Sequence, residues 1–162
     1  MERNKFINYM NAHKISWREQ EGKIHITNSG NVTIPLSSIP SGIRFDNTGD
    51  VELLSANSIP SDTIFNNFGW VECPNVETIE DNVSFNRATN VSLTELKKIG
   101  ENVVFNNKYT VYFDNLPIFS KGDRFYSKTI FLSENKEIIN SYNLDGIEHS
   151  KILNCMISQL YG

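Results

Sequence analysis

The amino-acid sequence predicts a mainly β fold with small α caps, a parallel β-solenoid of about five 20-residue coils. Three observations carry that prediction. Apolar residues recur at a fixed step of 20: Phe45, Phe65, Phe85, Phe105 and Phe125 form one column, and Ile39, Ile59, Ile79, Ile99 and Phe119 a second. Leu36, Ala56, Val76, Leu96 and Leu116 keep the same step, as do Val51, Val71, Val91 and Val111 with Leu53, Cys73, Leu93 and Phe113 two residues after them. Within each unit the V-x-L and V-x-F pieces alternate with period 2, as half-buried strands do. Finally, a unit this short has no room for a long helix beside two such strands, so stacked copies must pack strand on strand.

In chain order, a single domain divides into an N-terminal cap (1–27), the repeat stack (28–125) and a C-terminal cap (126–162). Phe6, Ile7, Met10 and Lys14 fall on one stripe of a short helix, the lysine stem at its edge. "ISWRE" and "KIHIT" around Glu21-Gly22 read as a hairpin whose second strand leads into the first coil, with Trp17 sealing that coil. The first coil enters the Val and Leu columns one residue short, through Val32 and Ile34. The L-x-x-I step, as in Leu96 to Ile99, suits a tight turn that points both side chains inward. Asp46, Asn66, Asn86 and Asn106 follow the column phenylalanines, and Asn47, Asn67 and Asn107 come one residue later. At a corner, such residues can bond the local backbone or their copies in neighbouring coils, and Arg87 interrupts the second file. "KTIFLSENKEIINSYN" reads as a second hairpin turning at Ser133-Glu134-Asn135. A closing helix with Leu153, Met156, Ile157 and Leu160 on one face would bury Cys155.

Composition narrows the functional classes. A net charge of −4 argues against coating nucleic acid through a basic surface. No apolar run approaches the length of a membrane span, and the N-terminus lacks the basic-then-apolar layout of a secretory leader. Two cysteines without framework spacing fit a reduced, cytoplasmic setting. His13, His25 and His149 show no metal-ligand spacing, and neither a nucleophile motif nor a phosphate-cradling loop is present, so no catalytic residue, cofactor or metal is expected.

Two surfaces remain as candidates. The outward file between the Val and Leu columns reads Thr33, Glu52, Glu72, Ser92, Tyr112, and adjacent Glu52 and Glu72 would stand about 5 Å apart, near a retaining-glycosidase separation. The corner reads Thr48-Gly49-Asp50, Phe68-Gly69-Trp70, Ala88-Thr89-Asn90 and Lys108-Tyr109-Thr110. Phe68, Trp70 and Tyr109 stand there among small polar residues, and aromatics are the usual anchors of interfaces.

The units "SIPSGIRFDNTGDVELL", "SIPSDTIFNNFGWVE", "TIEDNVSFNRATNVSL" and "KIGENVVFNNKYTVYF", within residues 24–125, resemble those of short leucine-rich-repeat-like proteins of bacteria and their phages. Val, Ile and Phe replace most leucines, and the asparagine follows the last strand residue sooner than in that pattern, leaving both a horseshoe and a straighter solenoid open. The resemblance implies partner binding and supplies no catalytic residue. The expectation is a non-enzymatic, monomeric or homodimeric protein of the bacterial cytoplasm, binding a protein partner through Phe68, Trp70, Tyr109, Tyr112, Glu52, Glu72 and Asp50. In this reading a phage encodes it to inhibit a host defence enzyme such as a CRISPR-type nuclease complex, with Asp50, Glu52, Asp62 and Glu72 meeting a basic groove. A glycan-cleaving β-helix using Glu52 and Glu72, and a self-assembling phage component, are the alternatives.

Overall fold

The computed structural model describes residues 2–134 and 136–140. The chain begins with helix α1 (Glu2–Ala12), then β1 (Trp17–Gln20), β2 (Lys23–Ile26), β3 (Val32–Ile34) and β4 (Ile43–Phe45). The coils that follow supply β5 (Val51–Leu53), β6 (Ser58–Ile59), β7 (Ile64–Phe65), β8 (Val71–Glu72), β9 (Thr78–Ile79), β10 (Ser84–Phe85), β11 (Asn90–Ser92), β12 (Lys98–Ile99), β13 (Val104–Phe105) and β14 (Thr110–Phe113). The last described strands are β15 (Arg124–Phe125), β16 (Thr129–Leu132) and β17 (Glu137–Asn140).

These strands form a parallel β-solenoid. One sheet, which carries the phenylalanine column, runs β1-β2-β4-β7-β10-β13-β15. The second carries the valine column and runs β17-β16-β14-β11-β8-β5-β3. Register follows the sequence columns: Phe65 pairs with Phe45 and Phe85, Val71 with Val51 and Val91. The first coil is one residue short, as expected, with Val32 opposite Val51 and Ile34 opposite Leu53. The last parallel step is short as well, placing Thr129 opposite Thr110. The parallel ladders continue into the terminal hairpins, β2 pairing with β4 and β16 with β14.

The L-x-x-I segment is not the tight turn expected of it. The turn comes one step earlier, closed by Leu96 N–H to the Leu93 carbonyl at 3.2 Å, and Ile99 N–H bonds the Ile118 carbonyl of the next coil instead. Beyond it, β6, β9 and β12 form a third parallel sheet with Ile59, Ile79 and Ile99 in register. Two-residue strands are too short to show alternation in a sequence, yet their backbone groups still need partners, and the neighbouring coil supplies them. A further column returns each coil from this sheet to the phenylalanine sheet. Gly42, Asp62, Asn82, Asn102 and Gly122 all take positive φ, between 56° and 82°, which these residue types tolerate best.

The core is continuous from end to end. The rings of Phe45, Phe65, Phe85, Phe105 and Phe125 stack at centroid distances of 5.0, 4.8, 4.8 and 4.6 Å, within 10° of parallel. Cys73 fills its place in the leucine column, and burial pushes its thiol pKa far up, so it packs as an inert apolar group. Helix α1 closes the first end with Phe6 and Met10 fully buried, and the Tyr9 hydroxyl donates to the Thr33 carbonyl on edge strand β3. Lys14 lies past the helix rather than on its stripe. It takes φ +56° in a C-terminal cap closed by Ile15 N–H to the Met10 carbonyl at 2.9 Å. Trp17 packs against the core and donates Nε1–H to Asn11 Oδ1 at 2.8 Å. The second hairpin forms, β16 pairing antiparallel with β17. Asn135 of its turn, His149 and the expected closing helix with Cys155 lie outside the described residues. No helix among the described residues is long and apolar enough to cross a membrane.

At the far end of the column Ile43, Thr63, Val83, Val103 stands Asp123, 6% exposed. Burial pushes its carboxyl pKa up to about 6; hydrogen bonds from Ser120 and Val103 N–H pull it down, while Asp81 and Glu101 push it further up. An acid with a raised folded-state pKa stabilises fully below its unfolded value near 3.8, and that contribution is lost as pH rises through about 6. Thermal midpoints measured from pH 4 to 7 should therefore fall with pH in the native chain and stay flatter in Asp123→Asn. In the ring stack, Phe85→Ala should cost about 3–5 kcal/mol in urea unfolding. Phe125→Ala, at the half-buried end of the stack, should cost roughly half as much.

Candidate binding edge at the solenoid corner

Between the phenylalanine and valine sheets each coil turns a corner, and three files of side chains decide its shape. The innermost holds Asn47, Asn67 and Asn107, all buried. Their amide nitrogens do not bond neighbouring asparagine copies. Asn67 Nδ2 donates to the carbonyls of Gly49 in the preceding coil and Trp70 in its own, both at 3.1 Å, and Asn47 and Asn107 make the equivalent bonds. A corner leaves carbonyls off the ladder, and a buried amide satisfies two at once. An inter-coil side-chain bond does occur in the file before it, from Asn66 Nδ2 to Asp46 Oδ1 at 3.3 Å. Ser127 donates to Asn107 Oδ1 at 2.5 Å, whereas Asn47 Oδ1 and Asn67 Oδ1 have no protein donor.

Arg87 breaks this file because a guanidinium cannot replace a buried amide without a counter-charge. The chain turns it outward and places Ala88, fully buried, at the inner position. The displaced guanidinium then lies 5.5 Å from the centroid of the Phe68 ring, and Phe68 is 53% exposed.

The outer file is a series of side-chain caps. Asp50 N–H donates to Asn31 Oδ1 at 2.8 Å, Trp70 N–H to Asp50 Oδ1 at 2.8 Å, and Thr110 N–H to Asn90 Oδ1 at 3.2 Å. The capping oxygen rests against the glycine of the next coil: a Cβ on Gly49 would lie 2.3 Å from Asn31 Oδ1, and one on Gly69 2.2 Å from Asp50 Oδ1. Above Asn90, where Tyr109 brings a Cβ, the bond is the longer one. Trp70 interrupts the series, since an indole has a donor and no acceptor. It stacks on Tyr112, two coils on, centroids 5.6 Å apart and planes 15° apart, and Tyr112 meets Phe131 edge-on at 5.8 Å. Trp70 keeps 36% of its surface exposed.

Tyr109, 41% exposed, completes the edge, with Lys108 Nζ 5.1 Å and Lys128 Nζ 5.4 Å from its ring centroid. Phe68, Trp70, Tyr109 and Tyr112 thus share one corner and the adjoining margin of the valine sheet. Sequence reasoning missed the cations Arg87, Lys108 and Lys128. The 20-residue step from Lys108 to Lys128 was the available signal. Asp50 has one carboxylate oxygen engaged by the fold. Glu52 and Glu72 stand in register on β5 and β8, with Thr33 Oγ1 donating to Glu52 Oε1 at 3.4 Å. The open groove along the third sheet, about 730 Å³, is lined instead by residues such as Ser61, Glu80, Asp81, Glu101 and Ser120. Among the described residues no group of three or more His, Cys, Asp or Glu side chains is arranged to hold a metal ion.

Comparison with protein-family models, with curated proteins and with solved structures finds no match to this chain.

The capping series makes the aromatic position testable by stability alone. Asp50→Ala, which strips the acceptor from Trp70 N–H, should lose about 1 kcal/mol in urea unfolding. Trp70→Asn, which offers the missing acceptor to the next coil, should stay within about 0.5 kcal/mol of the native chain or exceed it. A loss above about 2 kcal/mol would make Trp70 a packing group instead.

Proposed function

We propose that the chain is a non-catalytic repeat protein that docks a protein partner along this corner edge. The observation that carries the reading is Trp70: it occupies a capping slot whose hydrogen-bond series it interrupts, and it remains partly exposed beside Phe68, Tyr109 and Tyr112. An Asx residue there would offer the next coil an acceptor that the indole lacks, so capping gives no reason for the exposed aromatic and contact with a partner does. Parallel coils also suit the task, holding side chains from successive turns at a fixed spacing of about 4.8 Å. The narrower form, a phage-encoded inhibitor of a host defence enzyme, draws only on the repeat resemblance.

A second reading, glycan cleavage by Glu52 and Glu72, is favoured by their register on adjacent strands. Capture from a bacterial lysate separates the two. Docking along the corner leaves out Glu52 and Glu72, which stand on β5 and β8, so native chain and Glu52→Gln/Glu72→Gln should retain the same protein. Phe68→Ala/Trp70→Ala should retain it at least about tenfold less, a loss of about 1.4 kcal/mol. Capture indifferent to the aromatics would sink the docking reading. Glycan turnover lost only in the double glutamine variant would establish the second.

A further inference from the structure

We propose that the docked segment is an acidic polypeptide, with carboxylates two or three residues apart over Arg87, Lys108 and Lys128 and an adjoining apolar side chain against Phe68 and Trp70. This rests on the docking reading and adds the chemistry of the partner.

Three observations converge on it. First, the three cations are concentrated on the aromatic edge of a chain whose net charge is −4. The ion pairs among the described residues use Arg3, His25, Arg44 and Lys97, so Arg87, Lys108 and Lys128 meet no carboxylate there and are all exposed. Each lies over a ring instead, where the π face holds the charge without neutralising it. Such a cation is placed in advance for an incoming anion, with little side-chain freedom left to lose.

Second, the spacing suits a polypeptide. The cations come from three successive coils, so they span about 10 Å along the stack at about 4.8 Å per coil. An extended chain rises about 3.3 Å per residue, which brings carboxylates two or three positions apart onto this span. Phe68 lies one coil before Arg87 and provides apolar surface at one end of the row, while the Trp70 ring, stacked on Tyr112, lies alongside it.

Third, each of these rings already has a partner in the fold. Arg87 covers Phe68, Lys108 and Lys128 lie on Tyr109, and Trp70 is stacked on Tyr112. Single-stranded nucleic acid is held largely by bases stacking on open aromatic faces, and its phosphates would also meet a net-negative protein. Carboxylates need only the cationic heads, and apolar side chains can use the ring edges, so an acidic peptide fits better. The sequence-based expectation of acids facing a basic groove rests on other side chains, of which Asp50 belongs to this corner, one coil before Phe68 and Trp70. Asp50 Oδ1 accepts from Trp70 N–H, and Asp62 sits in the positive-φ turn before β7.

Selection of a random linear-peptide display library on the intact chain tests the proposal. Enriched peptides should carry two or more Asp or Glu within three positions beside an aliphatic or aromatic residue. Their binding should fall at least tenfold on Arg87→Glu/Lys108→Glu/Lys128→Glu and partway on the corresponding triple glutamine variant. Unchanged thermal midpoints would show that both variants remain folded, as the exposure of all three side chains predicts. Enrichment of neutral or basic peptides, or indifference to the charge reversal, would overturn the acidic partner. If Phe68→Ala/Trp70→Ala still abolished such binding, the docking reading would survive that failure. No enrichment at all would count against both. Labelled oligothymidylate that competes with the peptides at the same edge would assign it to single-stranded nucleic acid and overturn the proposal.

Discussion

Phe45, Phe65, Phe85, Phe105 and Phe125 lie nearly parallel through the molecule at 4.6–5.0 Å. Aromatic pairs left to themselves favour offset or edge-on contact, so this spacing comes from the ladder, whose strands stand about 4.8 Å apart. Backbone hydrogen bonds and ring contacts therefore enforce the same register. A one-residue slip inside a coil would turn the next phenylalanine toward solvent and unpair its strand together. Residues between strands must consequently fit a fixed count, and the shortened steps fall only at the first and last coils.

A fixed count leaves the corner little freedom. The chain must reverse there within a few residues while satisfying carbonyls that have left the ladder. Buried asparagine amides do this from inside, and Asx caps do it for amides from outside. Gly49 and Gly69 are required because the capping oxygen occupies the space a Cβ would need. Against such tight local rules, departures become informative. Arg87 forces Ala88 inward and emerges over Phe68; Trp70 ends a capping series and emerges onto Tyr112. Both depart from the repeat on the same corner, and both add exposed contact chemistry there.

The ends follow a different logic. A solenoid whose coils match one another has no internal reason to stop, so its terminal strands need cover. Helix α1 provides it at β3, where a tyrosine hydroxyl takes up a carbonyl that another coil would otherwise claim. At the other end the core column finishes in Asp123 rather than another aliphatic residue. A buried carboxyl there accepts from Ser120 and Val103 N–H.

The sequence by itself determined the period, the phenylalanine and valine columns, the short first coil and both hairpins. Each is written in apolar residues at regular intervals, and burial is what regular intervals encode. The third sheet was hidden because two-residue strands have no alternation to detect. The positive-φ column was present as Gly42, Asp62, Asn82, Asn102 and Gly122, yet it carries no hydrophobic signal. At the corner, the sequence marked Phe68, Trp70 and Tyr109 as unusual, because their sister positions are small and polar. Only the tertiary structure decided what surrounds them. Which way Arg87 turns, whether Trp70 reaches Tyr112 across an intervening coil, and how two lysines meet one tyrosine depend on contacts between coils. Those contacts join residues about 20 or 40 positions apart through side-chain direction, and side-chain direction is settled by packing.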